Sequence, residues 1–280
     1  MIVVAADRLR TAAVLILSGI AAATASAQHR YDVPYVPTPQ VVVEEMLRIA
    51  EVRPDDFVID LGCGDGRIPV TAASHFGARA LGIDIDPGRI AESRANAKAA
   101  GVTDKVEFVN GNLFDLDLER ASVVTMYLLP DINMKLRPKL LESLRPGTRV
   151  VSHAFSMGDW KPDRQVLVER SIMFWIVPAQ VAGRWKLEAD LPGVGLRSYE
   201  LEVRQKHQQI EPFARSDERN HAVWEPRLQG RAIRFTIVDG DLAHRYEGQV
   251  QGKTIEGVVR TGVGSAEVET PFRAQWVGTL

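Results

Sequence analysis

The sequence predicts an α/β fold, a parallel sheet with helical crossovers, followed by a small C-terminal antiparallel β domain built as a barrel or sandwich. Three observations carry this. An apolar β-branched run, Val58-Ile59, leads into glycines at alternate positions, Gly62, Gly64 and Gly66, and then into a helix-compatible stretch, which reads as strand, tight turn, helix. Strand-length apolar runs then alternate with helical periods to about residue 178. Beyond Gly183 the helical period disappears and apolar residues alternate strictly with polar ones, as in half-buried strands. The expected organisation is a targeting segment at residues 1–27, a parallel-sheet domain at 28–182 and an antiparallel domain at 183–280.

The chain has 280 residues, and its 34 Lys and Arg against 36 Asp and Glu leave a net charge of −2. Phosphate binding wants a basic excess, so nucleic acid is not the expected partner. Arg8 and Arg10 precede an uncharged run from Thr11 that closes with Ala25-Ser26-Ala27, a small-x-small cleavage pattern. The run falls short of the roughly 18–20 apolar residues that span a bilayer. The expectation is a cleaved signal peptide, a periplasmic or secreted protein beginning at Gln28, and no stable membrane anchor after cleavage. The one cysteine, Cys63, excludes an internal disulfide framework, so stability must come from core, which 45% hydrophobic residues allow.

In order along the chain, the proline-rich Tyr31 to Pro39 must be extended, because each proline fixes φ and pushes its predecessor out of the helical region. Thr38 is placed to cap a helix starting at Pro39, with Val42, Val43, Met46, Leu47 and Ala50 on one face. After the glycine turn a helix runs to about His75, and Ala80-Leu81-Gly82-Ile83-Asp84 forms a second strand ending in an acid. Asp86 before Pro87 reads as the N-cap of a helix to Ala100. Val106 to Val109 is the third strand, followed by Asn110-Gly111-Asn112-Leu113. Ser122 to Pro130 is the fourth, and Pro138 is expected to break the helix after it. Arg149 to Phe155 is the fifth, and two apolar stretches, Val166 to Val168 and Ile172 to Val177, supply antiparallel strands that close the sheet.

Glycines let the turn adopt positive φ and bring backbone N–H groups close to a bound group. A dinucleotide fingerprint needs G-x-G-x-x-G, but here the sixth position from Gly62 is Arg67, and the third glycine comes one residue early. A dinucleotide is therefore disfavoured. Asp60-Leu61-Gly62-Cys63-Gly64-Asp65-Gly66 resembles motif I of the class I S-adenosylmethionine-dependent methyltransferases, which have a Rossmann-like sheet, and the resemblance covers residues 34–178. It implies S-adenosyl-L-methionine as cofactor, with contacts from Asp60, Gly62, Cys63, Gly64 and Gly66. Asp84 lies 20 residues beyond Gly64, where an acid meets ribose hydroxyls in a βαβ unit. The resemblance adds Ile85, Asn112 and Leu113. The family commonly has Asp where this chain has Asn112, whose amide accepts from an adenine amino group. In related methyltransferases the segment before motif I lids the cofactor, which makes Tyr35 and Thr38 candidates.

The carboxyl end of the fourth strand is where this class places the methyl acceptor, so Tyr127 is the candidate catalytic residue and His153 a candidate base. The Tyr127-Leu128-Leu129-Pro130 and Pro34-Tyr35-Val36-Pro37-Thr38-Pro39 segments are similar to the protein-lysine methyltransferase-like branch. The acceptor, small molecule or protein side chain, stays open. So do two alternatives: an aminopropyl transferase on the same fold, and a non-catalytic nucleotide-pocket protein acting through its β domain. In the β domain, Trp185, Trp224 and Trp276 are expected to fill the interior, and no metal-ligand spacing, Ser-His-Asp order or P-loop is found.

Overall fold

The computed structural model describes residues 35–191, 194–217, 219–262 and 267–280. The expected signal peptide and its Ala25-Ser26-Ala27 site lie outside the described residues. From Tyr35 to Leu280 the chain forms one compact unit.

Strands β1 (Phe57–Leu61), β2 (Arg79–Asp84), β3 (Val106–Asn110), β4 (Val123–Met126) and β5 (Arg149–His153) are parallel, and β6 (Arg164–Val168) and β7 (Arg170–Ile176) add an antiparallel edge. Their order is β3-β2-β1-β4-β5-β7-β6. The order reverses between β1 and β4, and a crevice outside the carboxyl ends of two such strands is where open α/β sheets take ligands. Helices α1 (Gln40–Ile49), α2 (Arg67–Phe76) and α3 (Pro87–Ala99) bury Val42, Val43, Met46, Leu47, Ile68, Ala72 and Ile90 in one core with Val58, Ala80, Val106 and Val151. Helix α4 (Pro130–Ser143) buries Ile132, Leu136 and Leu140.

Some expectations fail locally. Thr38 caps nothing: α1 starts at Gln40 after Pro39, and the Thr38 hydroxyl pairs with His153 Nδ1 at 3.2 Å instead. Pro138 does not break α4, which runs through it. Tertiary packing of Leu136 and Leu140 on either side outweighs the lost ladder bond. Strand β4 stops at Met126, which leaves Tyr127 in the loop before α4.

The C-terminal strands β8 (Gly183–Leu191), β9 (Gly195–Lys206), β10 (Gln209–Ser216), β11 (Arg219–Gln229), β12 (Ala232–Asp239), β13 (Leu242–Gln251), β14 (Thr254–Thr261) and β15 (Val268–Gly278) close into an antiparallel barrel. Closure removes the exposed edges that a sandwich would leave. The period-2 residues Tyr199, Leu201, Val203, Ile233, Phe235, Ile237, Tyr246, Val250, Ile255 and Val259 all point inward and are buried. Ala179 and Val181, upstream of the expected boundary, belong to the same core. Of the three tryptophans, Trp185 is buried, Trp276 sits half-buried and Trp224 is outside and exposed. A register shift in β11 between Trp224 and Arg227 falls at this position. Interior aromatic bulk comes from Trp185 and Tyr199 together with Phe235, Tyr246 and Phe272, the Tyr246 ring centroid lying 5.1–5.2 Å from those of the two phenylalanines.

Candidate active site

The glycine turn follows β1 at the switch point. Gly64 has φ +54°, and a Cβ built there would sit 2.5 Å from Tyr35 Cε2. Gly62 has φ +78°, and its Cβ would sit 2.8 Å from Leu128 Cδ2. Only glycine meets both demands. The backbone donors of the turn are used internally, contrary to the expectation that they face a ligand. Gly62 and Cys63 N–H both donate to the Ile83 carbonyl at 2.9 Å, and Gly66 N–H donates to Cys63 O at 2.8 Å. Gly64 N–H donates to Asp84 Oδ2 at 2.9 Å. At the start of α2 the Asp65 carboxylate accepts from Arg67 N–H at 3.2 Å, so an acid of the chain occupies the place where a phosphate would sit. The turn therefore offers close approach to bare backbone, without an anion cradle.

Asp60 is buried in β1, and the Thr125 hydroxyl donates to its Oδ1 at 2.7 Å from the paired position on β4. Burial pushes its carboxyl up to about 7, against the opposing pull of the Thr125 bond. A buried carboxylate with one protein donor gains most from a cation brought beside it. Asp84, at the end of β2, accepts from Asp86 N–H as well as from Gly64 N–H. The Asn110 amide donates to the Asp84 and Ile85 carbonyls at 3.0 and 2.9 Å, which joins the loop carrying Ile85 to the loop carrying Asn112 and Leu113. Ile85 is exposed, and Leu113 is half-buried. Asn112 is exposed and its Oδ1 already accepts from Phe114 N–H at 3.0 Å, so its side chain shapes an Asx turn. Cys63 points into the core near Ser93, and burial pushes its thiol up, so its side chain is inert.

A clamp holds the lead-in segment over the turn. Arg67 grips Asp65 through Nε and Nη2 at 2.9 and 2.6 Å and donates to the Thr38 carbonyl at 2.7 Å. Arg89 lies 4.1 Å over the Tyr35 ring. Tyr35 is thus packed over the glycine turn at Gly64. Across the switch point, Tyr127 lies against His153 with ring centroids 4.0 Å apart and faces Phe155 at 6.1 Å. Burial, assisted by Arg170, pushes His153 down to about 4, so it is neutral at physiological pH. Among the described residues, His153 Nε2 and the Oδ1 of the buried Asn133 on α4 have no partner.

The sequence reading missed Thr125, the Arg67–Asp65 clamp, Asn133 and Phe155. Thr125 had a signal: it is the lone polar residue in the apolar stretch from Val123 to Met126. Asn133 and Phe155 had none, because their partners are distant in sequence; Asp65 and Arg67 are two residues apart, but no pattern tied that pair to the lead-in segment at Thr38.

A backbone-lined turn, a buried acid for a cation, a second acid after β2 and an aromatic group at the end of β4 define a nucleotide-cofactor transferase of the Rossmann-like class. Comparison with known proteins makes the class particular. Residues 60–164 match the model of the ANTKMT methyltransferase domain. A protein-lysine N-methyltransferase of Saccharolobus islandicus is 50% identical over 155 residues, 55% of this chain and 96% of the relative. The mouse adenine nucleotide translocase lysine N-methyltransferase is 37% identical over 48% of this chain and 58% of its own length. A solved RNA methyltransferase of Salinibacter ruber in complex with S-adenosyl-L-homocysteine is 53% identical, over 52% of this chain and 96% of that one, with a TM-score of 0.51. The chain belongs to the class I S-adenosylmethionine-dependent methyltransferases, in the protein-lysine N-methyltransferase branch. It is a methyltransferase and its cofactor is S-adenosyl-L-methionine; aminopropyl transfer and a purely binding role are not favoured.

Proposed function

We propose that this enzyme transfers the methyl group of S-adenosyl-L-methionine to the ε-amine of a protein lysine held beside Tyr127. The observation that carries the reading is the aromatic group Tyr127, His153 and Phe155 at the carboxyl ends of β4 and β5, in a chain 50% identical over 155 residues to a protein-lysine N-methyltransferase. The cofactor supplies an activated sulfonium methyl. Asp60, Asp84 and the bare backbone at Gly62 and Gly64 would hold it, with Tyr35 as cover, while Ile85, Asn112 and Leu113 would border its base.

A lysine amine attacks only when unprotonated, and its ordinary pKa near 10.4 must be lowered or its proton released to solvent. Apolar and aromatic walls do this by disfavouring the ammonium form. Because His153 is uncharged at neutral pH, it adds no positive charge against the amine, and its free Nε2 supplies a neutral hydrogen-bonding atom. What remains is positioning and exclusion of water, the main contributions where the leaving group is already activated.

The start of the chain supports a further proposal, export with cleavage before Gln28, through Arg8, Arg10, the short apolar run and Ala25-Ser26-Ala27. The test of activity incubates the full chain with methyl-labelled S-adenosylmethionine, a lysine-rich peptide pool and, separately, total RNA. Label recovered as N-methyllysine after acid hydrolysis supports the proposal. Label in RNA alone, the acceptor class in the name of the Salinibacter ruber neighbour, overturns it.

A further inference from the structure

The barrel interior carries a group of polar side chains towards the mouth facing away from the sheet. The turns at its near end meet the methyltransferase half: a Cβ built at Gly230 would sit 3.1 Å from Gly147 Cα, and Gln208 donates to the Lys161 carbonyl at 2.7 Å. Chain direction places the far ends of β10, β12 and β14, and the starts of β9, β11 and β13, at the opposite mouth. There the inner face turns from apolar to polar. Ser216 and Asp239 continue the inward rows of Ala214 and Ile237, and His221 is paired opposite Ala214.

Asp239 is the centre of this group. Its Oδ2 accepts from the Tyr199 hydroxyl at 3.1 Å and lies 3.7 Å from Arg197 Nε. Its Oδ1 lies 3.6 Å from His221 Nδ1, and the other ring nitrogen pairs with Ser216 Oγ at 2.7 Å. The sequence reading found no Ser-His-Asp order, yet the fold brings Ser216, His221 and Asp239 together across three neighbouring strands. At 3.6 Å the acid is too far to orient the imidazole as a catalytic triad requires, and its closest partner is Tyr199. The trio is therefore a scaffold for a carboxylate.

Two buried groups beside it have no partner among the described residues. His244 pairs through Nδ1 with Thr261 Oγ1 at 2.8 Å, but its Nε2 is unsatisfied, and so is the Tyr246 hydroxyl; both residues are 0% exposed. A barrel interior pays for such groups unless something pairs with them. In the tautomer that donates Nδ1–H to Thr261 Oγ1, Nε2 is a bare acceptor. The Asp239 carboxylate, the His244 imidazole and the Tyr246 phenol thus sit on the inward faces of the neighbouring strands β12 and β13, the last two fully buried. Among the described residues no cluster of three His, Cys, Asp or Glu suits a metal ion. An anion would meet Asp239.

We propose that the distal mouth binds a small primary ammonium ion, whose three N–H donors match this acceptor set and whose charge is received by Asp239, with exposed Arg197 swinging outward. This site does not depend on the lysine-acceptor reading. The test titrates the full chain with n-butylammonium chloride by calorimetry and ligand-observed NMR, with sodium butanoate and tetramethylammonium as comparators. Saturable butylammonium binding is expected, weaker by about tenfold or more in Asp239→Asn and in Tyr246→Phe, with S-adenosylmethionine affinity unchanged. Tyr246→Phe removes only an unpartnered hydroxyl, so it carries the test if Asp239→Asn fails to fold. No saturable binding at millimolar concentration, unchanged affinity in Tyr246→Phe, or equal binding of butanoate or tetramethylammonium overturns the proposal.

Discussion

The two halves of the molecule place their polar groups by opposite means. In the parallel-sheet half, the site sits on loops just past strand ends, and the acids that matter are close in sequence to the glycines they serve: Asp60 and Asp84 flank one βαβ unit, and Asp84 bonds Gly64 N–H directly. In the barrel, the polar mouth is assembled from Tyr199, Ser216, His221, Asp239, His244 and Thr261, one from each of six strands, each silent by itself. A loop site leaves a motif, whereas a barrel site leaves only an interrupted alternation. The difference is physical: a tight turn demands glycine at fixed positions, but an inward strand position demands only a side chain that fits.

The comparison can be broken or sharpened by substitution. The largest effect is expected at Gly64→Val. Its positive φ and the Tyr35 ring leave no room for a side chain, so S-adenosylmethionine binding should fall below detection by calorimetry while barrel tryptophan fluorescence stays native. Retained binding would mean that the turn does not approach the cofactor. The barrel counterpart is Gly257→Val, on β14 where it pairs with Gly248: the new Cβ would press into the Glu247 carbonyl and sit 2.5 Å from Gly248 Cα. Overpacking of this kind costs about 1–3 kcal/mol or more. Thermal unfolding should show that loss, with cofactor affinity spared if the two sites are energetically separate.

Next in size is Thr125→Val, which keeps shape but removes the hydroxyl bonded to buried Asp60, at a cost of about 1–3 kcal/mol at pH 8, where the acid is charged. The loss should shrink below pH 6, because a protonated Asp60 needs the donor less.

A further effect, read on the same acid, is a pH slope. Asp60 is held near 7 in the folded chain against an ordinary value near 3.9, so the native state keeps a proton that the unfolded chain releases. Stability from this group is present below pH 4 and is lost as pH rises towards 7. Cofactor binding should run the other way: a cation beside Asp60 favours its charged form, so affinity rises as pH passes from 6 to 8, with a proton released at the lower end. Calorimetry in two buffers of different ionisation enthalpy measures that proton. Asp60→Asn should abolish both slopes, and an unchanged slope would place the cofactor's charge elsewhere.

Much of this protein was settled by sequence alone. The spacing of Gly62, Gly64 and Gly66, with Asp60 before them and Asp84 twenty residues past Gly64, fixed the turn and the parallel sheet, because local backbone geometry tolerates few residues there, while the cofactor class came from the resemblance of Asp60 to Gly66 to motif I of the class I methyltransferases. Strict alternation after Gly183 determined that the C-terminal residues are strands with one buried face. Tertiary structure decided the rest. It chose a closed barrel over a sandwich, put Trp224 outside, carried α4 through Pro138, gave Thr38 to His153 rather than to a helix end, and spent the turn's N–H groups on Ile83, Asp84 and Cys63. Each of these outcomes depends on which distant residue occupies the neighbouring volume, and a one-dimensional pattern holds no record of that.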